Sequence, residues 1–307
     1  MNLRKTTAAA FAVVALAASV TACGKSGSPG ASAAPSASGN GASAAATLSA
    51  YPTKSGVKLS GSPTFDRITK NGSITIGVKA DQPNLGFEDP ATKTYSGFDI
   101  EIAKMVAADL GYGLDKIKFK TIESSAREDA IKGGQVDLYV GTYTINDKRK
   151  KLVSFAGPYF IAGQDLLVKK DSTIKDKADL KGKTVCSVTG STSLPRIKNL
   201  VPGAKTVEYG AYSLCVDNLQ SGQVDAVTTD DAILQGFAGK YGDSLKVLGK
   251  PFSEEPYGIG LAKGDTVLQQ AVNAALKAHE DNGDWQKAYD ATLGKAGTTA
   301  TIPPLDS

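Results

Sequence analysis

The chain has one histidine, His279, in 307 residues. That scarcity excludes most hydrolases, because a Ser–His–Asp or Cys–His site needs an imidazole beside its nucleophile. A lone histidine on a helical stretch reads as a packing or surface residue. Cysteine is nearly as scarce, at Cys23, Cys186 and Cys215. No His/Cys cluster has metal-ligand spacing, so no metal is expected. The phosphate-binding glycine motifs are broken. "GKT" at 182–184 has Lys177 where a P-loop needs glycine, and "GIGLAKG" at 258–264 has Lys263 in place of a third glycine. No cofactor is expected. Charge of one sign is also lacking, with 35 Lys and Arg against 31 Asp and Glu and a formal net charge of +4. The densest cationic run, "NDKRKK" at 146–151, has no interleaved aromatics, so no nucleic-acid partner is expected. After residue 20 no stretch is apolar enough to cross a bilayer.

What is present begins with a leader. Arg4 and Lys5 precede "AAAFAVVALAASV" at 8–20, which is shorter than the ~20 apolar residues that span a bilayer. A basic start, a short apolar core and small residues mark 1–22 as a secretory signal. Cys23 is either an ordinary thiol near the cleavage site or a lipid-modified one. "VTAC" at 20–23 resembles the lipobox of bacterial lipoproteins. That resemblance implies cleavage before Cys23, its acylation, and a protein held extracytoplasmically on the outer face of the cell membrane. More than one acyl chain is needed for stable anchoring. From 24 to 50, all but Lys25, Asn40, Thr47 and Leu48 are Ala, Gly, Ser or Pro. Such a segment cannot bury enough apolar surface to offset its ordering entropy, so 23–62 is expected to be the lipidated cysteine and a flexible tether. In an exported chain the other two cysteines pair as a disulfide, Cys186–Cys215, or remain buried thiols. Closing that loop would stabilise by ~3–4 kcal/mol.

The body alternates between strand and helix patterns. Strands are expected at 73–78, 136–143, 165–170, 183–188 and 224–229. Helices are expected at 97–112, with Ile102, Met105, Val106 and Leu110 on one face, and at 124–134, where Ser125 and Glu128 form a candidate capping box. Further helices follow at "SLPRIKNL", "YSLCVDNLQSG" and "DAILQGFAGKYG", and two more at the end, broken at Asn282-Gly283. The alternation argues for an α/β protein with largely parallel sheets. "GQVD" occurs at 134–137 and again at 222–225, each time between a helix and a strand. The matching context suggests two similarly built lobes, with ligand at the carboxyl ends of their strands.

Two helix starts carry the wrong charge. Asn146 or Asp147 caps a helix with Lys148 and Arg149 in its first turn, and Arg127 opens another. Cations there oppose the helix dipole by ~0.3–1 kcal/mol each. Either these arginines serve a ligand, or they belong to a solvated cationic face. "VTGSTSLPR" at 188–196 leads into a helix with hydroxyls and free N–H groups, which is either a normal cap or an anion site.

"GFDIEIAKMVAADLGY", "GGQVDLYVGTYTINDKRKKLVSFAGPYF", "GKTVCSVTGSTS" and "VDAVTTDDAIL" stand in the order found in bacterial extracellular solute-binding proteins of the polar amino-acid type, family 3. The chain resembles that family over roughly 71–295, most nearly its actinobacterial glutamate-binding lipoproteins. The resemblance implies a two-lobed type II periplasmic-binding fold, a Venus flytrap with ligand in the interlobe cleft. Lobe 1 would comprise 63–163 and 253–307, and lobe 2 would comprise 164–252. It implies a monomer that captures an amino acid by lobe closure and delivers it to the permease subunits of an ABC importer. By the same resemblance Arg149 holds the α-carboxylate, with Thr142 and Thr144 beside it and Ser124 where many members carry an aromatic. Thr189 and Thr192 donate from the facing lobe, and Asp230 accepts the ammonium. Arg127 and Lys79 read a second carboxylate, although Lys79 stands where acidic-ligand binders often have arginine. Three cations against one carboxylate favour glutamate, with aspartate behind it. Glutamine or another polar amino acid is the alternative. A tethered sensor or a dehydratase on the same fold fits less well, and no enzyme activity is expected.

Overall fold

The computed structural model describes residues 50–296 and 301–305. The signal segment, Cys23 and the first part of the tether lie outside the described residues. The elements in chain order are α1 (Pro63–Asn71), β1 (Ile74–Val78), β2 (Asp81–Gln82), β3 (Gly86–Glu88), β4 (Tyr95–Ser96), α2 (Phe98–Asp109), β5 (Ile117–Thr121), α3 (Arg127–Lys132), β6 (Leu138–Tyr139), α4 (Asp147–Lys150), β7 (Ser154–Ala162), β8 (Gln164–Lys169), β9 (Thr184–Val188), α5 (Ser193–Leu200), β10 (Lys205–Tyr209), α6 (Tyr212–Ser221), β11 (Ala226–Asp230), α7 (Asp231–Lys240), β12 (Leu245–Val247), β13 (Glu255–Leu261), α8 (Thr266–Asp281) and α9 (Asp284–Ala291).

Two five-stranded sheets carry the fold, ordered β5-β1-β6-β13-β7 and β10-β9-β11-β8-β12. Each is parallel on one side only. β5, β1 and β6 run parallel, as do β10, β9 and β11. β13 is antiparallel to β6 and β7, and β8 is antiparallel to β11 and β12. The expectation of largely parallel sheets therefore holds for half of each. The antiparallel half comes from the two chain crossings. β7 passes into β8 through Gly163, and the chain returns as β13.

The "GQVD" echo has a structural cause. Asp137 accepts from the Thr75 N–H and its own N–H donates to the Thr75 carbonyl. Asp225 does the same with Thr184. Gly134 and Gly222 stand just before, at φ 64° and 81°, where a side chain is disfavoured. In each copy the aspartate locks the new strand onto its parallel neighbour, β6 onto β1 and β11 onto β9.

Local signals set both ends of α1. Ser62 caps α1 by accepting from the Phe65 N–H, Pro63 follows, and Gly72 closes the helix in the left-handed region. α2 is buried over Phe98–Ala108, not on one face alone. Its outer side is covered by α8, α9 and the chain before α1. That covering segment corrects the expected tether, which does not run slack to residue 62. The Tyr51 hydroxyl donates to Glu101 at 3.0 Å, and its ring meets His279 edge-on at 5.4 Å. Val57 and Leu59 pack on the core. Residues 24–50 have no aromatic side chain, and Leu48 is their one large apolar residue. His279 is a buried packing residue, with Nδ1 3.0 Å from Asp284.

Two expectations fail near the cleft. Ser125 and Glu128 form no capping box, and the helix starts as a short 3₁₀ turn at Ser124–Ala126. Glu128 instead faces Arg149, at 3.4 Å. The strand expected at 136–143 pairs only at Leu138–Tyr139. Beyond it the chain leaves the sheet, with Thr142 at φ 44°. A β-branched residue in that region is strained.

Cys186 on β9 and Cys215 on α6 are joined as a disulfide, with Cα atoms 5.5 Å apart. Both are fully buried.

Candidate functional site

The two sheets bring the carboxyl ends of β6, β9 and β11 together around one small cavity, the position at which open α/β sheets bind ligands. One side supplies Ser124, Arg127, Thr142, Thr144 and Arg149. The other supplies Ser191, Thr192, Ser193, Tyr212, Asp230 and Ile233. Among the described residues no group of His, Cys, Asp and Glu is arranged to hold a metal.

Arg149 is placed by its short helix. Asn146 caps α4 and accepts from the Arg149 N–H at 2.9 Å. The Arg149 guanidinium donates to the Thr144 carbonyl at 2.7 Å and to the Gly190 carbonyl of the facing side at 3.0 Å. Arg127 donates to the carbonyls of Ser124, Thr142 and Gly190. Both arginines are buried. A solvated cationic face is therefore not what these residues form. Burial, and then the neighbouring Arg127 charge, draws Arg149 down to about 10.

The Thr142 loop is tied by buried side chains. Its N–H donates to Asp99 at 3.1 Å and its hydroxyl donates to Gln82 at 3.2 Å. Asp99 also accepts from Tyr159 at 2.7 Å. Those bonds hold Thr142 in its left-handed conformation.

Asp230 ends β11 with one oxygen accepting from the Tyr257 hydroxyl at 2.7 Å. Its other oxygen, Oδ1, is buried and has no hydrogen-bond partner. A buried acceptor left unmade costs ~1–3 kcal/mol, so a cationic donor arriving there would relieve a standing penalty. Burial, with the nearby Glu255 carboxylate as the next cause, pushes Asp230 up to about 7. Ser193 Oγ is likewise buried without a partner.

Seven of the nine residues expected at the site surround the cavity, and Lys79 and Thr189 do not. Lys79 lies behind the wall, buried, with Nζ donating to Ser124 Oγ at 3.1 Å. Its stem passes over Gly141, where a Cβ would come within 3.1 Å of it. Burial draws Lys79 down to about 8. Thr189 continues the β9 ladder to Tyr209 and turns its side chain outward, toward Glu208. Thr192 lines the cavity, but its hydroxyl donates to Glu255 at 2.8 Å. Glu255 is fully buried and also pairs with Arg196. Sequence reasoning missed Glu255, Tyr212 and Ile233. Ser191 and Ser193 stand inside the quoted "GSTS", where only the threonine was singled out.

The sides meet at glycines as well as at polar groups. A Cβ on Gly236 would come within 2.3 Å of the Pro83 carbonyl oxygen, and one on Gly190 within 2.6 Å of Ser125 Cα. The Ser213 N–H at the start of α6 donates to Asp81 at 3.1 Å across the same junction.

A two-lobed α/β fold with a buried polar cavity at facing strand ends defines the class of small-solute binding proteins. The chain belongs to the bacterial extracellular solute-binding proteins, family 3, whose pattern matches residues 74–295. It is 40% identical over 238 residues to the glutamate-binding protein GluB of Corynebacterium efficiens, covering 73% of this chain and 80% of that one. It is 42% identical over 220 residues to the ABC transporter glutamine-binding protein GlnH of Bacillus subtilis, covering 71% and 80%. Among solved structures, an ancestral arginine-binding protein bound to arginine matches with a TM-score of 0.68 and 36% identity, over 73% of this chain and 99% of that one. A cysteine-binding protein from Campylobacter jejuni matches with a TM-score of 0.73 and 26% identity, over 78% and 99%.

Proposed function

We propose that this protein is the capture subunit of an ABC importer for an acidic amino acid, glutamate before aspartate. On this reading it is a lipoprotein anchored through Cys23, acting as a monomer outside the membrane and passing its ligand to a permease. Lobe 1 holds 63–163 and 253–307, and lobe 2 holds 164–252. The observation that carries the reading is the charge of the cavity wall. On the wall two buried guanidinium groups face one carboxylate, Asp230, whose Oδ1 has no partner, while Glu128, which does not line the cavity, approaches Arg149 at 3.4 Å. A dicarboxylic amino acid balances that wall, with one carboxylate for each arginine and its ammonium for Asp230. Glutamine leaves one cation unmatched. Lys79, behind Ser124, adds to the same field without touching the ligand. GluB, a glutamate-binding relative, supports the reading. GlnH, a relative of similar identity that binds glutamine, favours glutamine as the second reading.

Calorimetric titration of the purified protein with glutamate, aspartate, glutamine and arginine tests it. Glutamate is expected to bind about a hundredfold more tightly than glutamine, since an unmatched buried charge costs ~3–5 kcal/mol, part of which water recovers. Equal or tighter glutamine binding overturns the acidic reading.

Capture needs the lobes to part and then close. On this reading Gly236→Ala blocks the last step, because the new methyl meets backbone. Overpacking costs ~1–3 kcal/mol, so affinity for every ligand should fall about ten- to a hundredfold. The melting temperature of the unliganded protein should change little. A variant that binds like the wild type would show that this contact is not part of closure.

A further inference from the structure

Tyr143 stands directly behind the two arginines and is not part of the cavity wall. It is fully buried. The Arg127 guanidinium carbon lies 4.3 Å from its ring centroid, and that of Arg149 lies 4.9 Å away. Tyr139 gives Arg127 a second ring at 5.7 Å. The Tyr143 ring has no room to move. Phe155 packs on it with centroids 4.7 Å apart, Tyr139 meets it edge-on at 5.3 Å, and a Cβ at Gly260 would come within 2.8 Å of it.

In front of the ring, both guanidinium groups donate to the same oxygen, the Gly190 carbonyl. Two like charges converging on one atom repel each other, and burial strengthens the repulsion. An aromatic face carries negative quadrupole charge and attracts a cation, most strongly where water is excluded. One ring within 5 Å of both cations offsets their repulsion and fixes their spacing.

We propose that Tyr143 is the positioning residue of the anion site, its ring holding Arg127 and Arg149 side by side and aiming both into the cavity. Selectivity for an acidic ligand then depends on a residue that never touches that ligand. The selectivity clause rests on the acidic-ligand reading above, whereas the positioning itself does not.

The test titrates full-length wild type, Tyr143→Phe, Tyr143→Leu and Tyr143→Met with glutamate and with glutamine. Circular dichroism and melting temperatures establish folding. Phenylalanine keeps the ring and should keep both affinities within about threefold. Leucine and methionine should lose glutamate affinity about tenfold or more, with a smaller loss for glutamine, so that the ratio falls. In wild type and Tyr143→Phe, two arginine side chains should show ring-current shifts of their N–H resonances; without the ring the Arg149 shift should vanish and the Arg127 shift should shrink to what Tyr139 leaves. An unchanged glutamate-to-glutamine ratio in a folded Leu or Met variant overturns the proposal. If neither variant folds, the absence of ring-current shifts in wild type overturns it and their presence sustains it. Should wild type bind glutamine as tightly as glutamate, the acidic reading fails by itself. The positioning role is then decided by whether Leu, but not Phe, lowers affinity for the amino acid that binds, since every such ligand carries an α-carboxylate.

Discussion

Replacing Arg149 with alanine is expected to weaken glutamate binding by about two to three orders of magnitude while leaving the unliganded protein folded. The loss follows from what the guanidinium does. It is a planar fork held at its far end by the Thr144 and Gly190 carbonyls. A carboxylate meeting that fork accepts two parallel hydrogen bonds. Removing one partner of a buried, hydrogen-bonded charge pair costs ~2–5 kcal/mol, at ~1.4 kcal/mol per decade. Arg149→Lys should recover only a small part, because an ammonium offers a point charge and no fork. The stability side has a different sign. Arg149 is buried beside Arg127, and burial first and then the Arg127 charge draw its guanidinium down to about 10, still protonated at neutral pH. Deleting it relieves a desolvated charge and at the same time loses its carbonyl bonds and its approach to Glu128. The melting temperature should therefore move by only a few degrees, about what 1 kcal/mol does in a protein of this size. Titration calorimetry and a thermal melt on the same sample check both halves. Binding within tenfold of wild type would mean that Arg149 does not hold the ligand carboxylate.

That residue was legible in the sequence because it is locally wrong. A cation in the first turn of a helix opposes the dipole, and a chain tolerates it only for another gain. Arg127 gave the same signal. Asp230 was legible only through the family resemblance, carried by "VDAVTTDDAIL". α5, α6 and α7 were legible nearly to the residue, since Pro195, Gly222 and the apolar spacing act within one turn of chain. What stayed hidden depends on the third dimension. Thr189 and Thr192 are alike in sequence, yet one points out of the cleft because it continues the β9 ladder. Lys79 lies close to the cavity, but Ser124 stands between them. Tyr143 looks like any core aromatic in a strand pattern. Only the departure of the chain from the sheet at Val140 puts its ring under two arginines. Glu255 sits in "PFSEEPYG" at 251–258, and its burial against Thr192 and Arg196 has no local mark.

The other large effect is in the pH dependence of binding, through Asp230. Affinity for an amino acid is expected to fall about twentyfold between pH 7.5 and 5.5. Asp230 stands near 7 in the unliganded protein, first because it is buried and next because Glu255 is close, against the Tyr257 hydrogen bond and the Arg149 charge that favour ionisation. Only the carboxylate form can pair with a ligand ammonium. Roughly three-quarters of it is ionised at pH 7.5 and about 3% at pH 5.5. The ligand's own charges hold across that window, since a free glutamate side chain titrates near ~4.3. Lys79, at about 8, remains mostly protonated throughout and would weaken binding only on the alkaline side. Folding stability runs the other way. A carboxyl raised above its unfolded value contributes stability that is complete below about 4 and is lost as pH rises through about 7. At pH 8 the unliganded protein therefore carries Asp230 as a cost. Asp230→Asn removes that cost and keeps an acceptor for the Tyr257 hydroxyl. The variant should be more stable than wild type at pH 8, by a few kcal/mol at most, and so melt at a higher temperature. It should also bind glutamate weakly, with a flat profile from pH 5.5 to 7.5. A flat profile in the wild type would show instead that the ammonium lies elsewhere in the cavity, with Asp230 serving only to hold Tyr257 across the two sheets.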